Sequence, residues 1–297
     1  MATPNASAPA PLMLPNVYAA NKKIPWPELL LPWNIARQLR RHGPLIGQFV
    51  KRDVLGRYRG SYLGVFWSLL RPLSMLALYT VVFGYIFESK LGNRPNESKL
   101  DFTLALFCGL ILFDFLAECV SRAPALVLGN TNYVTKVVFP LEILPVSVVG
   151  AALTQLVISY VPLLIGLVCA HGAVPGTALY LPVILLPLVL LTLGVTWLLA
   201  GLGVFIRDIN SFVPVLLLMI MYASAIFYSI SHVPPRFLPI VEYNPLAVVI
   251  DQARNAVLWG APPVWSQYGL MLAIGAVVMI AGYAFFMRTK SAFADVM

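Results

Sequence analysis

Long apolar runs separated by short polar segments dominate the chain after residue 65. A membrane span needs about 20 consecutive apolar residues, or about 17 to 25 when tilt is allowed. The runs that qualify lie at residues 69–87, 104–123, 139–170, 179–206, 212–228 and 268–287. Their apolar residues are continuous rather than alternating, which indicates helices and not the strands of a barrel. The pattern predicts an all-α integral membrane protein with six transmembrane helices, called spans one to six below.

The basic residues of the connecting segments predict the orientation of these spans. Lysine and arginine collect in the short cytoplasmic segments of membrane proteins. With the amino terminus inside, the cytoplasmic segments hold fifteen of the 20 basic residues. The asymmetry predicts that both termini are cytoplasmic, which requires an even number of crossings.

Composition excludes several other classes of protein. Only 11% of the 297 residues are charged, whereas about a quarter are charged in soluble domains. The net charge of +8 is carried by residues beside the apolar runs, where acidic lipid headgroups and not nucleic acid would meet them. The chain has no Gly-Lys dipeptide, so a Walker phosphate loop is absent. Neither the three cysteines, which lack CxxC spacing, nor the three histidines suggest a metal site.

The segment before span one is predicted to be partly helical. Residues 1–31 are rich in Ala, Pro and Asn and read as a disordered lead. Residues 32–64 mix basic and apolar residues at helical spacing, as an amphipathic interfacial helix does. Gly43-Pro44 should break this helix in two. It is either a simple membrane anchor or a collar for a cytoplasmic partner, and residues 65–297 form the membrane domain.

The long segment between spans five and six, residues 229–267, should lie on the outer side. Its apolar run at residues 245–259 is too short to cross a bilayer and too apolar to be solvated. We therefore predict a re-entrant helical hairpin that lines a cavity. The candidate residues of this outer gate are Tyr228, Pro234, Pro235, Asn244, Pro245 and Arg254.

Two acidic residues lie well inside span two. Asp114 and Glu118 are spaced i, i+4 and share one helical face. An Asp at the bilayer centre costs about 2.5 to 3.5 kcal/mol on insertion scales, so this face should look toward protein or water. It is either a proton relay or a surface that packs against basic or polar partners.

Aromatic residues line one side of span one. Tyr79, Phe83 and Phe87 recur at i, i+4 and i+8, and Tyr58 and Trp67 precede them. They are either helix-packing residues or a channel wall that stacks against sugar rings.

At this point the sequence resembles the type-2 ABC exporter permeases, which move lipid-linked polysaccharides such as O-antigens, capsules and teichoic acids. The similar stretches are RDVLGRYRGSYLGVFWSLLRPL at 52–73, KVVFPLE at 136–142, RD at 207–208, and YNPL at 243–246 with Arg254. One position departs from the family, because Ala225 stands where such permeases often carry a proline. We therefore expect Pro234 and Pro235 to supply the outer reversal.

The resemblance implies partners and a location. Two copies would form a homodimer in the bacterial inner membrane, in contact with membrane lipids, with two copies of a cytoplasmic ABC ATPase beneath them. The substrate would be an undecaprenyl-pyrophosphate-linked glycan. The chain itself would bind no cofactor and would not be an enzyme, since ATP and Mg would bind to the ATPase.

The resemblance also implies roles for individual residues. The basic cluster, which would receive the pyrophosphate headgroup unless it only reflects positive-inside topology, is Lys51, Arg52, Arg57, Arg59 and Arg71. The residues that would couple to the ATPase are Asn132, Tyr133, Lys136, Pro140, Glu142, Arg207 and Asp208.

Three alternatives remain open from the sequence. One is a related permease for teichoic acid, capsule or another amphiphile. Another is an ion-coupled secondary transporter that uses Asp114 and Glu118, although such proteins usually show an internal repeat and none is visible here. The third is a membrane-embedded glycosyltransferase or ligase that uses Glu242 and Asp251.

Overall fold

Every regular element is helical in the residues that the computed structural model describes, which are 31–57, 62, 66–86, 98–135, 139–228, 230 and 233–296. This confirms the all-α prediction, because continuous apolar runs satisfy their backbone hydrogen bonds only within helices once water is absent. Four of the predicted site residues lie outside the described residues, namely Tyr58, Arg59, Phe87 and Lys136.

The helices follow the predicted order along the chain. The first half contains α1 (Pro32–Arg41), α2 (Gly43–Gly56), α3 (Trp67–Tyr79), α4 (Lys99–Leu126), α5 (Thr131–Thr135) and α6 (Ile143–His171). The second half contains α7 (Leu181–Phe205), α8 (Ile209–Ala223), α9 (Leu238–Glu242), α10 (Pro245–Leu258), α11 (Trp265–Thr289) and α12 (Phe293–Val296). Helix α3 continues as a π-helical segment, Thr80–Ile86.

Four helical segments are long and apolar enough to cross a membrane. They are Leu100–Arg122, Ile143–His171, Gly176–Phe205 and Trp265–Ala292, and they correspond to predicted spans two, three, four and six. Spans one and five correspond to shorter apolar helices, Trp67–Phe83 and Ile209–Ala223. The protein is therefore a multi-pass membrane protein, and the count of six crossings stays a prediction.

Helix α4 lies at the centre of the bundle. In the most apolar stretch of α4, 83% of the residues are buried, against 39% in that of α6 and 33% in that of the last span. Helices α7 and α11 also approach each other closely, because a side chain on Gly282 would overlap the backbone of Gly194. Glycines let two membrane helices approach until their backbones touch. The centre of the fold is therefore fixed, while α6 and α11 keep apolar surface for lipid or a partner.

The two amino-terminal helices pack against the bundle. The helical path breaks at His42, and Gly43 and Pro44 open the second helix, as the sequence predicts. Ile35 of α1 and Phe49 of α2 are both buried. These helices are therefore attached to the bundle by apolar side chains.

The outer reversal differs from the expectation. Helix α8 ends at Ala223, well before Pro234 and Pro235, and Ala225 adopts a positive φ of 52°. A non-glycine residue reaches this left-handed region only when its surroundings hold it there. The chain therefore turns at Ala225 itself, and the expectation that the two prolines supply the turn is wrong.

Candidate functional site

A cavity of about 870 Å³ opens between α3, α4, α6 and α8. Aromatic residues from the first two of these helices line it, namely Trp67, Tyr79, Phe107 and Phe115. Between them lie the polar side chains of Ser68, Arg71, Asp114, Gln155 and Ser159. An amphipathic wall of this kind can contact both the apolar faces and the hydroxyl groups of a sugar.

One end of the cavity carries an ion-pair cluster of four residues, Asp53, Arg57, Glu118 and Arg122. Arg122 holds both carboxylate oxygens of Asp53, with Nη1 donating to Oδ2 at 2.8 Å and Nη2 to Oδ1 at 2.6 Å. Arg57 pairs with Glu118. Since Asp53 and Arg57 end α2 while the other two belong to α4, the cluster fastens the amino-terminal helices to the central helix.

Two opposing effects act on the Asp53 carboxyl group. Burial by itself raises its pKa. The hydrogen bonds and positive charge of Arg122, together with the charge of Arg57, lower the pKa by more than burial raises it. The net result is a lowered pKa. Asp53 is therefore a carboxylate at neutral pH, and both arginines are neutralised in place.

The structure places the predicted basic cluster in several different environments. Arg57 and Arg71 line the cavity. Lys51 is exposed. Arg52 donates to the Tyr133 hydroxyl at 3.0 Å and lies over the ring of Phe49. Within the described part of the chain, Arg71 is thus the member that lines the cavity without an ion pair inside 4 Å.

The aromatic stripe of span one divides between two surroundings. Tyr79 and Trp67 line the cavity. Phe83 packs on the rings of Phe102 and Phe227, with centroids 6.2 Å away in each case. Phe83 is therefore a helix-packing residue, whereas Trp67 and Tyr79 lie in the cavity wall, where stacking against sugar rings stays a prediction.

Glu118 and Asp114 occupy one wall of the cavity, as their shared helical face predicts. Glu118 is engaged by Arg57 and Arg122. Asp114, nearer the middle of the span, is exposed to the cavity. The face therefore points toward the cavity and not toward lipid, which avoids the free-energy cost of placing an acidic side chain in hydrocarbon.

The predicted coupling segment packs on the amino-terminal helices. The Tyr133 ring stacks on Phe139 at 4.6 Å, and both rings contact Phe49 of α2. Asn132 is exposed and Pro140 is half-buried, while Arg207 and Asp208 are exposed in the turn between α7 and α8. Movement of this segment would therefore displace α2 first, because Phe49 of α2 contacts both rings.

Glu142 is the exception among these residues, because it is buried. Its carboxylate accepts hydrogen bonds from Gln38 Nε2 and Lys290 Nζ, each at 2.7 Å. Its backbone oxygen accepts one from Trp197, and the Tyr283 hydroxyl donates to Gln38. Glu142 therefore ties α1, α7 and α11 together and presents no free carboxylate to a partner.

Two of the predicted outer gate residues, Arg254 and Asn244, donate hydrogen bonds to the chain at the end of α8. Arg254 is only 2% exposed and donates to the carbonyl oxygens of Ala105, Ala225 and Ile226 at 2.6 to 2.9 Å. Asn244 caps α10 and donates to Ala223 O and Ser224 Oγ. Pro245 occupies the first turn of α10, where proline is well tolerated. Arg254 and Asn244 thus fasten the outer hairpin to the turn at Ala225.

A second, smaller cavity lies beside this hairpin. Its volume is about 410 Å³, and Tyr228 and Pro234 line it together with apolar residues of α9. The Tyr228 hydroxyl donates to the backbone oxygen of Tyr222, and Pro235 is exposed.

Sequence reasoning missed two features. The acids of the ion-pair cluster were not connected to the basic residues, although the i, i+4 spacings of Asp53–Arg57 and Glu118–Arg122 were visible signals. His171 Nε2 lies 2.7 Å from Asp101 Oδ1, and no sequence signal connects residues 70 positions apart. In the described residues no three His, Cys, Asp or Glu side chains stand together as a metal site requires.

Comparison with known proteins gives consistent matches. Residues 44–258 match the family model described as ABC-2 type transporter. The chain is 25% identical over 255 residues to the O-antigen export system permease protein RfbA of Klebsiella pneumoniae, covering 85% of this chain and 95% of the relative. Its identity to the protein of the same name from Myxococcus xanthus is 26% over 264 residues, covering 88% and 98%. The polysialic acid transport protein KpsM of Escherichia coli is 24% identical over 216 residues, covering 70% and 79%.

Proposed function

Because the chain belongs to the ABC-2 type transporter family, we propose that it is the membrane subunit of an ATP-driven exporter that moves a lipid-linked, O-antigen-like polysaccharide out across the bacterial inner membrane. The family is one of transporter permeases, so the chain acts in transport and not as an enzyme. The relatives named as O-antigen permeases are similar to it over more than four fifths of its length. The names of these O-antigen export proteins support a polysaccharide as the substrate class.

The observation that carries the proposal is the polar and aromatic lining of the 870 Å³ cavity. A lipid-facing groove needs no carboxylate or amide, and placing these groups in hydrocarbon is costly. A passage for sugar needs groups such as Asp114 and Gln155, which accept and donate hydrogen bonds, and aromatic faces such as Tyr79. A conduit must also bind weakly enough to release what enters it.

Energy would come from a separate subunit. We propose a homodimer with two copies of a cytoplasmic ABC ATPase, with both termini of this chain on the same side as the ATPase. The packed rings of Phe49, Tyr133 and Phe139 offer a contact through which ATPase closure would move α2. Arg207 and Asp208, exposed at the α7–α8 turn, would contact the same partner.

A cavity-blocking substitution tests this function. Ser121 lines the cavity and Ser291 does not, yet both are exposed and both donate to the carbonyl oxygen three residues earlier. In proteoliposomes containing the permease and its co-purified ATPase, Ser121→Trp should lower ATP-dependent transport of a fluorescent lipid-linked oligosaccharide about tenfold, because a narrowed conduit retards every sugar that passes. Ser291→Trp should leave it within about twofold.

Two results would count against the proposal. Transport that continues when the ATPase is omitted would show that the protein does not depend on nucleotide hydrolysis. Equal transport by both tryptophan variants would show that the glycan does not pass through this cavity.

A further inference from the structure

The charges around the cavity cancel one another. Arg57, Arg71 and Arg122 line it together with Asp114 and Glu118, and the adjoining Asp53 supplies a third negative charge. An anion that enters the cavity therefore meets no net positive charge. It gains a strong contact with Arg57 or Arg122 only by taking the place of a carboxylate.

The ion-pair cluster is accessible to such a competitor. Its four side chains are 24 to 36% exposed, and ion pairs of this exposure contribute at most about 1 kcal/mol. The guanidinium fork of Arg122 holds Asp53 through two parallel hydrogen bonds, and the same fork fits a phosphate group equally well. A phosphate of higher charge can therefore replace a carboxylate here.

Replacement of Asp53 would act on α2. Asp53 and Arg57 supply the polar attachment of α2 to α4. Arg52, directly before Asp53, donates to Tyr133, and Phe49, one turn earlier, contacts the rings of Tyr133 and Phe139. Helix α2 is thus the physical connection between the cavity and the segment predicted to contact the ATPase.

We propose that the ion-pair cluster is a substrate sensor: the phosphate of a lipid headgroup replaces Asp53 on Arg122, and so removes the two hydrogen bonds that hold Asp53 of α2 to α4. This rests on the proposed function, in that the substrate is taken to carry a phosphate-bearing lipid. Arg71, which has no such pair, would hold the headgroup on arrival. Asp53 then sets how strongly the headgroup must bind before this end of α2 loosens.

Direct binding to the purified permease in nanodiscs tests the exchange. Farnesyl diphosphate serves as the probe, and farnesol and inorganic pyrophosphate serve as reference compounds. Asp53→Asn removes the competing charge and should tighten farnesyl diphosphate binding about fivefold, the value of one exposed ion pair. It should leave farnesol unchanged. Asp101→Asn is the matched control and should change neither, because Asp101 lies at the other end of α4, with its Oδ1 2.7 Å from His171 Nε2.

The outcomes separate this inference from the proposed function. If the wild-type protein binds farnesyl diphosphate and Asp53→Asn binds it equally or more weakly, Asp53 is only a structural clasp and the sensor is wrong. If the wild-type protein binds no farnesyl diphosphate, the lipid-linked substrate itself is wrong. Pyrophosphate binding as tight as farnesyl diphosphate binding would mean a free phosphate and not a lipid headgroup.

A second measurement needs no change in the cluster. Spin labels at the exposed positions Gln48→Cys in α2 and Ala125→Cys in α4, which do not line the cavity, report the distance between the two helices once the exposed Cys169 is replaced by serine. Farnesyl diphosphate should lengthen this distance by about 1 to 2 Å, a typical helix shift in a switching protein. Farnesol should leave it unchanged. An unaltered distance with bound farnesyl diphosphate would overturn the release of α2.

Discussion

Arg122 and Arg254 both fasten two segments of the protein together, but the oxygen atoms that hold them differ in kind. Arg122, in the ion-pair cluster at one end of the cavity, holds a carboxylate and is 36% exposed. Arg254, at the outer hairpin, is 2% exposed and donates to three backbone carbonyl oxygens. The first contact can be exchanged for another anion, whereas the second offers an anion no access.

This difference assigns distinct tasks to the two ends. A buried guanidinium without a carboxylate is costly unless hydrogen bonds satisfy it, and Arg254 fits so closely that a side chain on Gly109 would lie 2.6 Å from its Nη2. Such an arrangement holds one geometry, here the turn at Ala225. A partly exposed charge pair costs little to break. We therefore expect motion at the ion-pair cluster and rigidity at the hairpin that Arg254 holds.

The largest expected effect comes from removing the outer arginine. Arg254→Met should destabilise the protein by about 3 to 5 kcal/mol, because three buried carbonyl oxygens lose their donor. Thermal unfolding in detergent should show the loss. Arg236, which is exposed and lies over the Phe237 ring, is the matched control, and Arg236→Met should stay within about 0.5 kcal/mol. Equal losses would remove the contrast between the two ends.

Removing Lys290 should have an intermediate effect, because Glu142 is buried but ion-paired. Lys290→Met leaves that carboxylate with Gln38 as its side-chain donor and should cost about 2 to 3 kcal/mol. Glu142→Gln in the same background should recover part of the loss, since the unpaired charge is gone. The four proteins of this double-mutant cycle can be compared by thermal unfolding. No recovery would mean that Lys290 acts through packing instead.

The smallest effect is expected from Asp53 and depends on pH. Because its pKa is lowered in the folded protein from an ordinary 3.8, its contribution is complete above that value and disappears as the pH falls through the lowered one. Wild-type protein should exceed Asp53→Asn by about 1 kcal/mol at pH 6 and by less at pH 3. Melting curves at both pH values measure this. A difference that grows toward low pH would contradict the assignment.

Most of the fold was predictable because it depends on local sequence. Each of the six apolar runs corresponds to a helix, and the break near Gly43 appears where proline and glycine predict it. Some helices end before their apolar runs do, as at Ala223, and these end points were not predictable. There Asn244 and Arg254, from a later part of the chain, hold the backbone through hydrogen bonds. The local sequence therefore does not predict the turn.

The site was only partly predictable for the same reason. Sequence alone identified the basic residues at the start of span one, the acids of span two and the aromatic residues, since charge and side-chain type are properties of single positions. Only the tertiary structure showed that Arg122 and Asp53 neutralise each other, that Glu142 is buried and that Phe83 packs in the core. These facts depend on which helices touch, and helix contacts are decided by packing across the whole bundle and not by the residues beside one another in the chain.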